Sequence, residues 1–202
     1  MKQVTLFILS VILASTTFAQ FKVGVTAGGN RTNQKINLKE GSLISGHNVS
    51  GFHAGLVSDL ALDDHFHIQS QLLYARKGMI HNNIQTGYAS TYRLHYVELP
   101  VNVLYKFDFT AGKIFVGTGA TVGYAVAGSN GFFKGNGNPW KREDLSLNFT
   151  GGFEWNNGIY VSVNSQKGLL DINSSPFIKA RSKSMNVSVG YMIDWKAMKK
   201  KS

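Results

Sequence analysis

The stretch that most constrains the fold is residues 96–107, where apolar and polar side chains alternate. Such alternation with period two is typical of a β-strand that has one apolar and one polar face. The stretch runs for about 11 residues, longer than the usual strand of about 5–6, and this is the length that a tilted strand needs to cross a bilayer. It therefore predicts one strand of a membrane barrel. The apolar set is Val97, Leu99, Val101, Val103, Tyr105 and Phe107, with Leu104 as the one apolar residue on the polar side.

The same alternation recurs along the chain, and the segments between its occurrences are alternately long and short. An even number of strands, with short turns at one end and longer loops at the other, is the pattern of outer-membrane barrels. We therefore predict an all-β fold, an eight-stranded antiparallel up-and-down transmembrane β-barrel. The predicted strands are 21–28, 51–62, 66–80, 92–107, 113–127, 144–155, 159–170 and 185–194.

The first 19 residues have the features of a cleaved secretory signal. Lys2 supplies a positive start, residues 4–13 form a short apolar core, and residues 17–19 end in Ala. This predicts export to the outer membrane, a mature barrel over residues 20–195 and a basic tail over residues 196–202. The chain has no cysteine, which excludes disulfides and thiolate sites.

The net charge of +10 raises the question of an anionic partner. Nucleic acid is excluded by the predicted export and by the scattered positions of the Lys and Arg residues. Anionic lipid headgroups or surface polysaccharide are the counter-charges that we expect.

A soluble exported lipocalin-like binding barrel is an alternative, because its strands also alternate. The polar set, however, is rich in small Gly, Ser, Asn and Thr residues, which suit a narrow packed lumen. Aromatic residues also gather at the predicted short turns, as they do at a membrane interface. Those residues are Phe66, Tyr105, Phe107, Phe109, Phe153, Trp155 and Trp195.

Three segments resemble the PorT-like outer-membrane β-barrel family (outer membrane protein beta-barrel domain). They are residues 71–78 (QLLYARKG), residues 96–100 (YVELP) and the Gly-rich strand at 113–127. Most members of that family have no assigned activity, and its founding member is tied to a protein-secretion apparatus. The resemblance therefore implies, as an alternative function, a component of a protein secretion or assembly machinery in the outer membrane.

Charged and amide side chains on the polar face are expected to point into the lumen. Charges inside a narrow barrel must pair to offset the loss of hydration, so we predict a polar network rather than a catalytic pair. Its predicted members are Asp59, Gln71, Lys77, Glu98, Lys106 and Glu154.

No segment predicts catalysis, a cofactor or a metal site. No Gly-x-Ser-x-Gly element occurs. His65 and His67 lie two residues apart, but a clear third metal ligand is missing nearby. We therefore predict a protein without catalytic, cofactor-binding or metal-binding residues.

The third long loop combines aromatic groups with cations in a Gly- and Asn-rich segment. Exposed groups of this kind suit binding by stacking and by cation–π contacts, and packing of the loop across the barrel mouth is the alternative. An envelope protein or a glycan is the expected partner, besides the outer-membrane lipid, and the barrel is expected to be a monomer. The candidate loop residues are Phe132, Phe133, Trp140, Lys141 and Arg142.

Overall fold

A computed structural model describes residues 20–38, 43–45, 48–82, 89–129, 141–170 and 178–194. The predicted signal peptide, the basic tail and Trp195 lie outside these ranges. No helix in the described ranges is long and apolar enough to cross a membrane. The strands are β1 Phe21–Leu38, β2 Leu43–Ser45, β3 Val49–Ala61, β4 Phe66–Asn82, β5 Ala89–Phe109, β6 Gly112–Gly128, β7 Glu143–Trp155, β8 Ile159–Gly168 and β9 Ile178–Asp194.

The eight long strands close into an antiparallel barrel. Each pairs with the next along the chain, and β1 pairs with β9 over 17 residue positions, from Lys22↔Asp194 to Leu38↔Ile178. The short strand β2 pairs with β1 alone and is not one of the strands that form the closed barrel. The predicted fold, eight strands in up-and-down order, is confirmed.

The barrel carries its apolar side chains on the outside. The side chains of Leu56, Val122 and Phe149 are each about 60% exposed, whereas Asp59, Lys106 and Asn148 are buried inside. A soluble barrel has the reverse arrangement, since water would then contact the outer face. The outer face of this barrel suits contact with the hydrocarbon core of a membrane, so the lipocalin-like alternative does not fit.

The two ends of the barrel differ. At one end, called the turn end here, the described connections are the short turns at 62–65, 110–111 and 156–158. At the opposite end, called the loop end, β1 runs on to Leu38, ten residues past the predicted strand. Period-two hydrophobicity fades there, because a strand that rises above a bilayer has water on its outer face and needs no apolar side chains. For the same reason β9 begins at Ile178, seven residues before the predicted start.

Two irregularities in β5 have local causes. The register with β6 shifts between His95 and Tyr96, where the sequence alternation also slips, as at a β-bulge. At Pro100 the register does not shift. The β4–β5 pairing is interrupted next to Pro100 but resumes in the same register at Leu73↔Glu98, since proline lacks only the one N–H.

The turns contain the residues that their geometry requires. Asp63 Oδ1 accepts hydrogen bonds from the backbone N–H groups of His65 at 2.8 Å and Phe66 at 2.6 Å. Gly158 has a φ of +88°, which glycine adopts without the strain of a side chain. The turn-end aromatics lie together on the outer face, with ring centroids 5.0 Å apart for Phe66 and Tyr105 and 4.9 Å apart for Phe153 and Trp155.

Candidate functional site in the barrel lumen

Five charged or ionisable side chains meet inside the barrel near the turn end. We call Lys22, Asp59, His67, Lys106 and Glu154 the basal cluster. They come from β1, β3, β4, β5 and β7, and the alternation of each strand turns these residues inward. The cluster therefore draws on five of the eight long strands of the barrel.

Lys106 is the centre of the basal cluster. Its Nζ lies 2.7 Å from Glu154 Oε2 and 2.9 Å from Asp59 Oδ2, the latter an ion-pair contact rather than an aligned hydrogen bond. Glu154 Oε1 also accepts a bond from Lys22 Nζ at 2.6 Å, and Asp59 Oδ1 is 2.6 Å from His67 Nδ1. Each carboxylate thus has a nitrogen partner at both oxygens, which offsets its loss of hydration.

A second ion pair stands nearer the loop end. Lys77 Nζ donates to Glu98 Oε1, donates to Gln166 Oε1 at 3.2 Å and lies 5.5 Å from the centroid of the Tyr96 ring. Both charged groups are about 95% buried. Lys77 and Glu98, called the upper pair here, lie on the neighbouring strands β4 and β5, and the bond to Gln166 reaches across the lumen to β8.

A chain of uncharged groups continues from the upper pair into the middle of the barrel. Gln166 Nε2 donates to Thr121 Oγ1 at 3.4 Å, and Thr121 Oγ1 donates to Asn148 Oδ1 at 2.9 Å. Asn148 Nδ2 then donates to Asn102 Oδ1 at 3.0 Å. A donor thus faces an acceptor at each link of this chain, as buried polar groups require.

The space left over in the lumen is small. A polar cavity of about 20 Å³ lies beside Asn102, Gln166 and His53, enough for about one water molecule. Below it, the apolar side chains of Val57, Leu104, Phe115, Tyr160 and Met192 form a buried cluster.

A larger recess of about 510 Å³ opens at the turn end, lined by Asp63, Asp64, His65, His67, Asp108 and Lys113.

The six side chains predicted for the lumen all point inward, but they do not form one network. Asp59, Lys106 and Glu154 are in the basal cluster, while Lys77 and Glu98 form the upper pair. Gln71 belongs to neither, since its Nε2 donates to Gln69 Oε1 at 3.0 Å. Sequence reasoning did not select Lys22 or Gln166, although the alternation of β1 and β8 already turned both residues inward.

The loop prediction is covered only in part. Phe132, Phe133 and Trp140 lie outside the described residues. Lys141 is exposed, and Arg142 Nη1 donates to the carbonyl oxygen of Ala125 at 3.3 Å. Arg142 therefore helps to join the start of β7 to the rim of β6.

Ion pairing, rather than proton transfer at a substrate, is what the lumen chemistry supports. The carboxylates of the basal cluster face lysines and a histidine and not an open cleft. In the part of the chain that the structure describes, no group of three or more His, Asp or Glu side chains is placed to hold a metal ion.

Comparison with known protein families identifies the family of this chain. The sequence profile described as "Outer membrane protein beta-barrel domain" matches residues 18–176, which is most of the chain. The chain belongs to this outer-membrane barrel family. The narrower PorT-like resemblance stays a prediction, because the matching profile is the broader one. No curated protein matches this outer-membrane barrel protein.

Solved structures show the same fold at low sequence identity. OprG of Pseudomonas aeruginosa superposes with a TM-score of 0.59 and 11% identity, over 87% of this barrel and 96% of OprG. Ail of Yersinia pestis, in complex with the heparin analogue sucrose octasulfate, has a TM-score of 0.48 and 14% identity, over 86% and 99% of the two chains. Neisserial surface protein A has a TM-score of 0.48 and 14% identity, over 86% and 98%. OprG thus supports the fold, whereas it is membership of the outer-membrane family that gives the outer membrane as the location of this protein.

Proposed function

We propose that this protein is a non-conducting outer-membrane barrel that acts through its external loops, in a structural or binding role and not by catalysis. The observation that carries the proposal is the ion-paired basal cluster, which spans the lumen with Lys106 at its centre. An eight-stranded barrel has an interior just wide enough for side chains. To cross this lumen, ions would have to displace side chains that are already ion-paired.

The external loops are the remaining surface for a specific partner. In outer-membrane barrels the short turns face the periplasm and the longer loops face outward, so we expect the segment that contains Phe132, Phe133 and Trp140 on the external side. Aromatic residues close to Lys141 in the sequence suit a glycan or an envelope protein, through stacking and cation–π contacts.

Planar-bilayer recording tests the closed lumen. The folded wild-type protein should give no single-channel steps, because the basal cluster and the polar chain fill the interior. A porin of known conductance, recorded in the same bilayer, serves as the positive control. Reproducible steps from the wild type would overturn the non-conducting assignment.

A loop-replacement experiment tests the binding role. A variant with Phe132→Ser, Phe133→Ser and Trp140→Ser should lose binding to a glycan array or to envelope proteins captured by the wild type. The matched control replaces Ile84 and Tyr88 by Ser in a different loop and should retain binding. Equal binding by both variants would contradict a role for the third loop.

The alternative role in a secretion or assembly machinery needs a partner on the periplasmic side. The recess of about 510 Å³ at the turn end offers polar walls for such a contact. Cross-linking from a photoreactive residue at Asp64 would capture that partner, and a parallel residue at Lys141 would be the external control. Capture from Asp64 alone would favour the machinery over loop binding.

We also propose that residues 1–19 are a cleaved signal and that residues 196–202 form a basic tail beyond the barrel. The mature protein isolated from the outer membrane should then begin at Gln20. An N-terminal sequence that starts at Met1 would contradict the cleavage.

A further inference from the structure

The cations on the outer face of the barrel are unevenly distributed. Those with described side chains on the outward-facing positions of the strands are Arg31, Arg76, Arg93, Lys167 and Lys183, and all five stand in the loop-end half of their strands. Lysines of the turn-end half, such as Lys22 and Lys106, point into the lumen instead. Among the described side chains, the outer face is therefore more positively charged in its loop-end half than in its turn-end half.

Three of these cations lie on adjacent strands. Lys167 of β8 is directly opposite Lys183 of β9, and both side chains are exposed. Arg31 of β1 is also exposed. It lies beside the two lysines, because it pairs with Met185 of β9, which is two residues from Lys183. We call Arg31, Lys167 and Lys183 the cationic face. The backbone pairing then continues outward with Lys35 opposite Arg181.

Two lysines directly opposite each other are unfavourable when nothing lies between them. Directly opposed residues in an antiparallel pair have Cβ atoms about 4.5–5.5 Å apart, and like charges there destabilise the sheet. Over the described parts of β1, β8 and β9 the sole carboxylate is Asp194, at the turn end. The cationic face thus lacks a counter-charge on its own strands, and an external anion would supply one.

The position of the cationic face limits what that anion can be. Lys183 and Asp194 are eleven residues apart in β9, which is roughly 29 Å along the axis for a rise of about 3.4 Å per residue and a tilt of about 40°. The apolar band of such barrels is about 25 Å tall. If Asp194 stands at the periplasmic edge of the band, Lys183 stands at its external edge.

An apolar surface begins directly below the cationic face. Met185, Val187 and Val189 of β9 are each more than half exposed, and Val161 and Val163 of β8 lie beside them. A ligand that fits both surfaces has an anionic head and hydrocarbon chains. Lysine ammonium groups bind phosphate oxygens well, and clustered cations at a membrane surface attract anionic headgroups.

We infer that the cationic face binds the phosphate groups of a phosphorylated glycolipid of the lipid A class in the outer leaflet. One phosphate bridges Lys167 and Lys183, Arg31 contacts the same headgroup, and the acyl chains lie along the apolar residues below. This interaction is on the barrel wall, so it does not depend on the external loops or on the closed lumen.

The test compares lipid retention by folded protein in detergent. Bisphosphorylated lipid A is the probe, and the same lipid A with its phosphates removed is the reference. The variant Lys167→Gln with Lys183→Gln should retain roughly thirtyfold less of the phosphorylated probe, since each surface cation contributes a factor of about five. The matched control, Arg93→Gln with Lys141→Gln, removes two cations at the same end of the barrel and should bind like the wild type.

A second variant guards against loss of folding. Lys167→Glu should pair with Lys183, keep the barrel compact on an unboiled gel and lose the phosphorylated probe. Equal retention by the wild type and both face variants would overturn the proposal, as would equal retention of the dephosphorylated lipid by the wild type. If millimolar inorganic phosphate displaced the probe fully, the face would be a free-anion site, and the lipid assignment would be wrong.

Discussion

At the scale of single residues, Lys106 has the most demanding position in the lumen. It is 1% exposed and is the counter-charge of two buried carboxylates, Asp59 and Glu154. Its ammonium also lies 5.9 Å from the Phe115 ring centroid, at the border between the basal cluster and the apolar residues. The lysine therefore joins the two parts of the lumen packing.

Removing Lys106 should destabilise the barrel strongly. We expect Lys106→Met to lower the free energy of unfolding by about 3–5 kcal/mol, because two carboxylates stay buried with fewer partners. Urea titration in lipid vesicles measures this change. Lys113→Met, which removes an exposed partner of Asp108, is the control and should cost less than about 1 kcal/mol. Adding Asp59→Asn and Glu154→Gln to Lys106→Met should restore part of the loss, and no restoration would contradict the charge argument.

Asp63 gives the turn end a dependence on pH. The backbone N–H groups of Phe66 and His65 stabilise its ionised form and hold the pKa of this carboxyl below its ordinary value. Its stabilising contribution is therefore present above the ordinary pKa of an aspartate and is lost as the pH falls through the lower, folded value. An NMR titration of the folded protein in micelles should find the lowered pKa. The variant Asp63→Asn should lack the part of the acid-induced loss of stability that comes from this carboxyl. If stability fell with pH in the variant as it does in the wild type, Asp63 would not be the source of that loss.

At the scale of the elements, glycines set how closely some strands and lumen side chains approach. A Cβ at Gly119 of β6 would meet the Val101 carbonyl oxygen at 2.0 Å and Asn102 Oδ1 at 2.6 Å. Asn102 is the last member of the polar chain through Asn148. The absence of a side chain at Gly119 therefore keeps β5 and the buried amides in place.

Gly119→Ala should disturb the β5–β6 pair. Since the first clash is with backbone, we expect a loss of about 1–3 kcal/mol in the free energy of unfolding or failure to fold. Gly29→Ala is the control, because a Cβ there has its nearest contact at 3.9 Å. Hydrogen exchange of the β5 and β6 amides should increase in the first variant and not in the second. Equal exchange in both would show that the close approach at Gly119 has no energetic consequence.

At the scale of the whole molecule, the barrel depends on the seam between its first and last strands. The β1–β9 pairing satisfies backbone groups that would otherwise face hydrocarbon. Gly24 lies in this seam, and a Cβ there would meet the Tyr191 carbonyl oxygen at 1.9 Å. Closure is thus sensitive to a single methyl group.

An unboiled detergent gel should detect closure directly. The wild type should migrate differently before and after boiling, because the closed barrel resists unfolding by detergent. Gly24→Ala should show less of the compact band than Gly29→Ala, which lies in the same strand. Equal compact bands would mean that the seam adapts to the added methyl group, contrary to this prediction.

Alternation along the chain was enough to predict the strands of the membrane zone and the side of the sheet on which their residues lie. Period-two alternation is local, so it turned Asp59, Lys77 and Glu98 inward and Val97 outward without knowledge of the fold. It did not reveal that β1 extends to Leu38, because strand beyond the bilayer carries no hydrophobic pattern.

Which inward-facing residues contact one another became clear from the closed barrel and not from the alternation. Lys106 contacts Asp59 and Glu154, from strands far apart in the chain, whereas Gln71 contacts Gln69. The heights of side chains in a lumen follow from the register of every strand pair and from the closure of β1 on β9, and these are properties of the whole sheet. The same register places Lys167 opposite Lys183 on the outer wall, which alternation alone could not predict.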